Sequence, residues 1–354
     1  MLTLIDIEQI LTFYDLGELY GVTQAYRGFV NETAFINTSA GRFVVRRNHR
    51  RLSEAAHLYR HALINRLVAN DFPTPALVPT RNGETLLRLD GRLHEILTFV
   101  QGTDYAPQRP QQLASIGKTL AHYHQIVRDM PPPLEEPTLR YSPMNAMALI
   151  ETLLVRDIMG ELYVPLSWYS KRTAQLRQTL SEKLYLSLPH CVIHGDIHRD
   201  NILFANDDVL ALLDFDQTTW DARLVDIADA LVAFATATDK SGKMMWGLFQ
   251  GPLDEEQSTR FIAAYAEVAP LTPGEITALP VMVELLWLQG ELGRVISTPE
   301  GAPDYHQSVL DQGQMLSEWM EQHRKQLIAR WNKVNEEAVG EPLGKAIREP
   351  ALAA

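Results

Sequence analysis

The spacing of apolar residues changes character several times along the chain. Leu4, Ile7, Ile10, Leu11 and Tyr14 recur at helical intervals, so residues 1–20 are predicted to hold a short amphipathic helix ending near Gly17. From Gly21 the runs shorten and become β-prone. Residues 33–37 and 42–46 flank Thr38-Ser39-Ala40-Gly41, which reads as a hairpin turn. Helical spacing returns over 53–70, with Leu58, Ala62, Leu63 and Leu67 on one face, and the prolines of Asp71-Phe72-Pro73-Thr74-Pro75 stop it. Two more strand-like runs, 85–89 and 93–100, surround Asp90-Gly91, a strong hairpin signal. The first hundred or so residues therefore read as a small antiparallel sheet carrying one main helix.

Gln101-Gly102 and the proline-rich stretch 107–110 mark a change of regime. Beyond them, helical periodicity dominates over 111–128, 144–158 and 166–186, then again over 226–237, 255–268, 273–296 and 305–334. A short β-like insert interrupts these helices. It begins with CVIHGDIHRDNILF, from Cys191 to Phe204, in which apolar residues bracket a polar run. This pattern predicts two short strands holding a rigid loop. Ten residues later Leu212-Leu213-Asp214-Phe215-Asp216 repeats the theme of an apolar run ending in carboxylates. Acids and an amide brought together on neighbouring loops suit magnesium and a hydroxyl nucleophile held beside a polyphosphate. The stretch 335–354, mixed in glycine, proline and charge, reads as a flexible tail.

Bulk properties narrow the possibilities. The 354 residues are 46% hydrophobic and 21% charged, as in an ordinary globular protein. A net charge of -12 supplies no basic surplus for phosphates, so no nucleic acid is expected as partner. The single cysteine, Cys191, excludes an internal disulfide and fits a reducing compartment. MLTLIDIEQI lacks the basic start of a signal peptide, and no apolar run approaches the roughly 20 residues that span a bilayer. A cytoplasmic protein without membrane contact is the expectation; oligomeric state is not encoded in any motif.

His194-Gly195-Asp196 with Asn201 five residues after the aspartate, followed by Asp214-Phe215-Asp216, resembles the active-site pair of the aminoglycoside phosphotransferase family. That family includes homoserine, choline and methylthioribose kinases. The resemblance extends over most of the chain, because lobe order, hinge position and downstream helices agree. It implies an α+β, protein-kinase-like two-lobe fold, with a small β-rich N-lobe over 1–97, a hinge over 98–102 and a mainly helical C-lobe over 103–334. It also implies ATP and Mg2+ as cofactors and a small-molecule alcohol as acceptor.

His198-Arg199-Asp200 spells the HRD of protein kinases, yet its register is wrong. Kinases place a metal-binding asparagine five residues after the base. Counting from Asp200 reaches Ala205, which cannot ligate a metal, whereas counting from Asp196 reaches Asn201. The resemblance then assigns Asp196 as base and Asn201 and Asp214 as metal ligands. His194 reads as loop support, Asp226 as an anchor for the loop backbone, and Asp200 and Asp216 as weaker candidates.

In the small lobe, Gly28 and Asn31 occupy the position of the family's phosphate-covering loop, although GxGxxG is absent. Val44 and Arg46 share one strand face, and Arg46 matches the basic residue that clamps phosphate. Phe99 and Val100, within the hinge, would present backbone groups to adenine. One departure stands out: relatives have glutamate where this chain has Arg60, so the partner of Arg46 is in question, with Glu54 as a substitute.

Other signals are weaker. Gly117-Lys118-Thr119 lacks the glycine at 112 that a P-loop requires and lies in an amphipathic helix. His122 and His124 face different sides of that helix, so they are not a metal pair. Trp220, Trp246, Trp287 and Trp331 read as core or groove lining, and Glu284 and Glu291 as a solvated face rather than a cleft. A small-molecule kinase is the first expectation. A catalytically weak, kinase-like nucleotide-binding or regulatory protein is the alternative that Arg60 raises. A protein kinase is disfavoured by the missing GxGxxG and APE-type segment.

Overall fold

In the computed structural model, the described residues are 2–24, 31–48, 53–133, 139–157, 159–236, 251–298 and 302–340. Gly28 and Trp246, named above, lie outside them. The small lobe begins with α1 (Leu4–Leu11), whose start is fixed by a reciprocal capping box between Thr3 and Asp6. A five-stranded antiparallel sheet follows, in the order β1 (Leu19–Gln24), β2 (Glu32–Thr38), β3 (Gly41–Arg47), β5 (Arg92–Thr98), β4 (Leu87–Leu89). Asp90 and Gly91 both adopt positive φ, 50° and 68°, in the tight turn between β4 and β5.

Alternation along the strands decides which side chains reach the cleft. Ala34, Ile36, Phe43, Val45, Leu87 and Ile96 point to one face, where Ile7 and Ile10 of α1 cover them. Val44 and Arg46 are thereby left on the opposite face. The helix α2 (Glu54–Ala69), capped by Ser53, is not part of the α1 core. Its Leu63, Ile64 and Leu67 join the large core of the helical lobe instead. Arg66 Nε donates to Ile126 O at 2.8 Å, and Tyr59 Oη donates to Pro131 O at 2.6 Å, which ties α2 to the end of α3 (Pro110–Val127).

The large lobe contains α3, α4 (Pro143–Arg156), α5 (Tyr163–Thr179), α6 (Glu182–Ser187), α7 (Leu224–Phe234), α8 (Glu255–Ala266), α9 (Pro273–Ser297) and α10 (Pro303–Gly340). The single helix expected over 166–186 is two, separated at Leu180. Between α6 and α7 lies the β insert. Its strands β6 (His190–Ile193) and β9 (Thr219–Ala222) form one antiparallel pair, and β7 (Ile202–Ala205) and β8 (Asp208–Leu212) another.

Two expectations are corrected here. The tail does not begin at 335: α10 runs to Gly340, and buried Asn335 exchanges hydrogen bonds of 2.8 and 3.0 Å with the backbone of Leu271. An amide that satisfies both backbone groups of a buried residue holds the helix down where composition alone looked mobile. Nor do Glu284 and Glu291 face solvent; both are fully buried. Arg172 and Arg324 each meet Glu284 at 2.6 Å, and Arg294 meets Glu291 at 2.7 Å. Buried carboxylates survive because these arginines pair with them. Gly117 is a packing residue, since a Cβ there would lie 2.8 Å from Phe261 O of α8. Trp287 and Trp331 are core. Among the described residues, no helix is long and apolar enough to cross a membrane.

Candidate active site

The loop after β6 is shaped by backbone contacts before any side chain acts. Gly195 has φ of 76°, and a Cβ there would fall 2.5 Å from Gln217 O, so only glycine fits. The fully buried Asp226 accepts the backbone N–H groups of His194 and Gly195, both at 2.8 Å. His124 Nε2 lies 3.1 Å from the same carboxylate, and Tyr265 Oη lies 2.8 Å from His124 Nδ1. Burial opposes the Asp226 charge, but the His124 hydrogen bond and the backbone donors outweigh it and hold the carboxyl below its ordinary value. Burial pushes His124 down, which suits a neutral ring that accepts from tyrosine and donates to aspartate.

The second loop is locked to the first. His194 Nε2 lies 2.9 Å from Leu213 O, and Leu213 N donates to Asn201 O at 2.8 Å. These bonds fix Asp214 relative to Asp196 and Asn201. Asp196 itself is open to the cleft, with 40% of its side chain exposed. Asn201 Nδ2 donates to Asp196 O at 2.9 Å and Oδ2 at 3.1 Å. That commits the amide nitrogen to the loop and leaves Oδ1 for a cation. His198 Nδ1 accepts from Asp200 N at 3.2 Å, and its Nε2 lies 3.3 Å from Asp196 Oδ2 and 3.0 Å from Asn201 Nδ2. Partial burial works to raise the Asp196 pKa; the His198 hydrogen bond and charge override it and lower the carboxyl. The same partnership raises His198 against the opposing effect of its own burial. Asp200 is exposed, and Arg199 turns away to donate to Ala233 O at 2.9 Å.

Asp214 takes φ of 58°, an uncommon left-handed conformation that aspartate tolerates better than most side chains. Its side chain is 43% exposed, against 10% for Asp216. Asp216 is gripped from three directions: Arg46 Nη2 at 2.8 Å, Arg60 Nη1 and Asn31 Nδ2. Arg46 also reaches Asp214 Oδ1 at 3.3 Å and Glu95 Oε1 at 3.5 Å. Glu95 is the cross-strand neighbour of Arg46 in the β3–β5 pairing, and His61 Nε2 lies 2.6 Å from it. Burial disfavours the Glu95 charge, yet the His61 hydrogen bond and the two arginines hold its carboxyl well below the usual range. Glu54, the substitute partner anticipated for Arg46, instead pairs with Arg88 on the surface.

A cavity behind Asp214-Phe215-Asp216 is lined by Arg46, Arg60, His61, Thr74, Glu95 and Leu97, among others. Val44 lies on the Arg46 side of the sheet. Phe99 packs edge-on to Phe35, and the Arg42 guanidinium sits 3.7 Å from its ring centroid. Phe99 N donates to Arg42 O at 3.2 Å, whereas Val100 N has no hydrogen-bond partner among the described residues. Among the described residues no group of three or more His, Cys, Asp or Glu gathers as a metal cage. The donor set fits magnesium nonetheless, because this ion takes one or two protein oxygens and completes its shell from phosphates and water.

The sequence profile of the phosphotransferase enzyme family matches residues 21–273. The chain belongs to that family. Homoserine kinase of Parvibaculum lavamentivorans is 27% identical over 308 residues, covering 84% of this chain and 88% of that protein. The fold also matches two solved kinases at low identity. A microcompartment-associated aminopropanol kinase gives a TM-score of 0.64 at 16% identity, over 93% of this phosphotransferase and 100% of that chain. Amicoumacin kinase, in complex with AMP-PNP, Ca2+ and Ami, gives 0.62 at 15%, over 94% and 93%. Both share the α+β, two-lobe protein-kinase-like architecture.

Three residues of this phosphotransferase's cleft were not singled out as partners by sequence reasoning. Glu95 was discoverable, because the register of the two hairpins sets it opposite Arg46. His198 was discounted along with its misleading motif, although it touches Asp196. Asp216 was read as marginal because nothing local announces two arginines from distant elements.

Proposed function

We propose that this chain transfers the γ-phosphoryl group of ATP to the hydroxyl of a small molecule, with an amino alcohol such as homoserine as the leading acceptor and an aminoglycoside-like compound as a further one. The observation that carries this reading is the backbone lock that sets Asp196 and Asn201 beside Asp214. The curated homoserine kinase relative supports the acceptor class, and the nucleotide in the amicoumacin kinase complex supports the donor.

Asp196 orients the acceptor hydroxyl and receives its proton. A lowered carboxyl is a weak base, which suits a loose phosphoryl transition state in which the hydroxyl becomes acidic only as the new bond forms. Asn201 and Asp214 would hold magnesium, whose role when bound is to neutralise charge on the β- and γ-phosphate oxygens. Arg46, presented by β3 and steadied by Glu95, is the phosphate clamp, and a guanidinium remains charged throughout. Val44 and the Phe99–Val100 backbone form the adenine side, with Asn31 near the phosphate end.

The alternative of a weak, regulatory relative drew its force from Arg60. Glu95 gives Arg46 its carboxylate from a different element, which favours the enzyme reading. A coupled ADP-release screen over diverse alcohols, with ATP, magnesium and Asp196→Asn as the blank, tests the proposal. ADP release that depends on the acceptor and on Asp196 is expected. A nucleotide-dependent rise in melting temperature with no ADP from any alcohol would instead establish the regulatory reading.

A further inference from the structure

Against the backbone of the loop after β6 stands a second charged group that makes no contact with Arg46 among the described residues. Asp229 lies one turn past Asp226 on α7, so the two carboxylates leave neighbouring faces of the helix. Asp226 spends both oxygens on the loop and His124, as described. Asp229 accepts one bond, from Tyr141 Oη to its Oδ1 at 2.5 Å. Among the described residues its Oδ2 has no hydrogen-bond partner.

Arg140, next to Tyr141, supplies the opposite charge. Its backbone N donates to Asp221 Oδ2 at 2.8 Å, its Nη1 donates to Gly195 O, and its Nη2 approaches Gln217 Oε1 at 3.4 Å. The guanidinium therefore rests on the residue that precedes Asp196. Hydrogen bonds place the three groups around one loop: Arg140 holds Gly195, the neighbour of Asp196, while Tyr141, the neighbour of Arg140, holds Asp229. An anion carried by α7 and a cation held in a turn by its bonds to Gly195 and Gln217 match a ligand that carries both charges and one hydroxyl.

We propose that Asp229 and Arg140 form the acceptor-recognition subsite, with Asp229 taking the ammonium and Arg140 the carboxylate of a hydroxy amino acid whose hydroxyl reaches Asp196. This rests on the kinase reading for its chemistry, though not for its binding. Tyr141 is a positioning residue that aims the Asp229 carboxylate. Burial, with Asp226 and Asp196 nearby, pushes the Asp229 carboxyl up to about 7, against the opposing pull of Arg140 and Tyr141. An ammonium ligand would favour the ionised form.

The test uses the full chain and three probes: L-homoserine, aminopropanol, which lacks the carboxylate, and γ-hydroxybutyrate, which lacks the amine. Binding is measured by calorimetry and turnover by ADP release, for wild type, Asp229→Asn and Tyr141→Phe. Asp229→Asn is expected to weaken both amine-bearing probes by about tenfold or more and to spare γ-hydroxybutyrate, as loss of a charge-assisted bond predicts. Tyr141→Phe should show the same selectivity at smaller amplitude, and it decides the matter if Asp229→Asn does not fold. Equal weakening of all three probes, no weakening, or no binding to wild type overturns the subsite. Binding that obeys the amine rule without ADP release would sustain the subsite and sink the kinase reading.

Discussion

Arg60 of α2 pairs with Asp216 of the loop that follows β8, both sides of the contact being nearly buried. The position where the family resemblance implied a helix glutamate is thus occupied by the opposite charge, directed at a different element. Burial lowers the Arg60 pKa, a sign that the charge depends on its acidic neighbours. Arg60→Glu would set a carboxylate against Asp216 and near Glu95. Breaking a buried pair typically destabilises by about 3–5 kcal/mol, and that loss is expected in denaturant unfolding, together with at least a tenfold fall in kcat/KM for ATP. A variant that unfolds and turns over like wild type would show the pairing to be incidental.

Glu95 should matter through Arg46. With Glu95→Gln the charged partner is gone, and Arg46 is free to lean on Asp214 and Asp216. The pair is a 3.5 Å ion contact with a buried carboxylate, and its loss is expected to raise KM for ATP by roughly tenfold with a smaller change in kcat. Glu54→Gln, which touches Arg88 at the surface, serves as the control and should leave both constants alone. Steady-state kinetics over a range of ATP concentrations distinguishes the two variants.

Stability should fall on mild acidification because of His57. Its ring is buried against Arg60, with Nε2 unsatisfied, and burial followed by the Arg60 charge pushes it down to about 4 from an ordinary value of 6.5. A histidine depressed in the folded state binds its proton more readily when unfolded. Its contribution is therefore intact above pH 6.5 and is lost as pH falls towards 4. A difference of that size corresponds to about 3 kcal/mol. Urea unfolding across this window should show a slope that His57→Gln flattens; an unchanged slope would remove His57 as its cause.

Asp196→Asn separates chemistry from stability. The side chain is substantially exposed, so the melting temperature is expected to stay close to wild type. Loss of a positioned proton acceptor should lower kcat by about 10²–10⁴-fold. Full activity in Asp196→Asn would displace it as the base, with Asp200 the obvious group to examine next.

The order of strands and helices was legible because it rests on local signals: the Asp90-Gly91 turn, the stop at Pro73, and the alternation that splits Val44 from Val45. The Asp196 to Asn201 spacing was legible too, since one short loop carries both. Arg60 was recognisable as a departure, but its partner was not, because Asp216 lies 156 residues away and only tertiary packing introduces them. Buried Glu284 was misjudged for the same reason: helical periodicity records which face a residue occupies, while Arg172 and Arg324 come from two other helices. Asn335 looked like tail because hydropathy does not register an amide that satisfies a backbone. Asp229 left no trace at all beyond being an acid in an apolar helix.

Asp216 is where three bodies meet. The sheet holds it through Arg46 and Asn31, α2 holds it through Arg60 from within the large core, and its own loop is bonded to the backbone around His194 and Asn201. Tilting the sheet away from the helices strains the contacts of Arg46 and Asn31 but leaves those of Arg60 and Asp226 untouched. The cleft therefore carries an electrostatic latch on one side only. In the proposed reaction a polyphosphate would compete for the guanidinium that closes this latch, so the ligand that needs Asp214 exposed would be the same one that draws Arg46 off it.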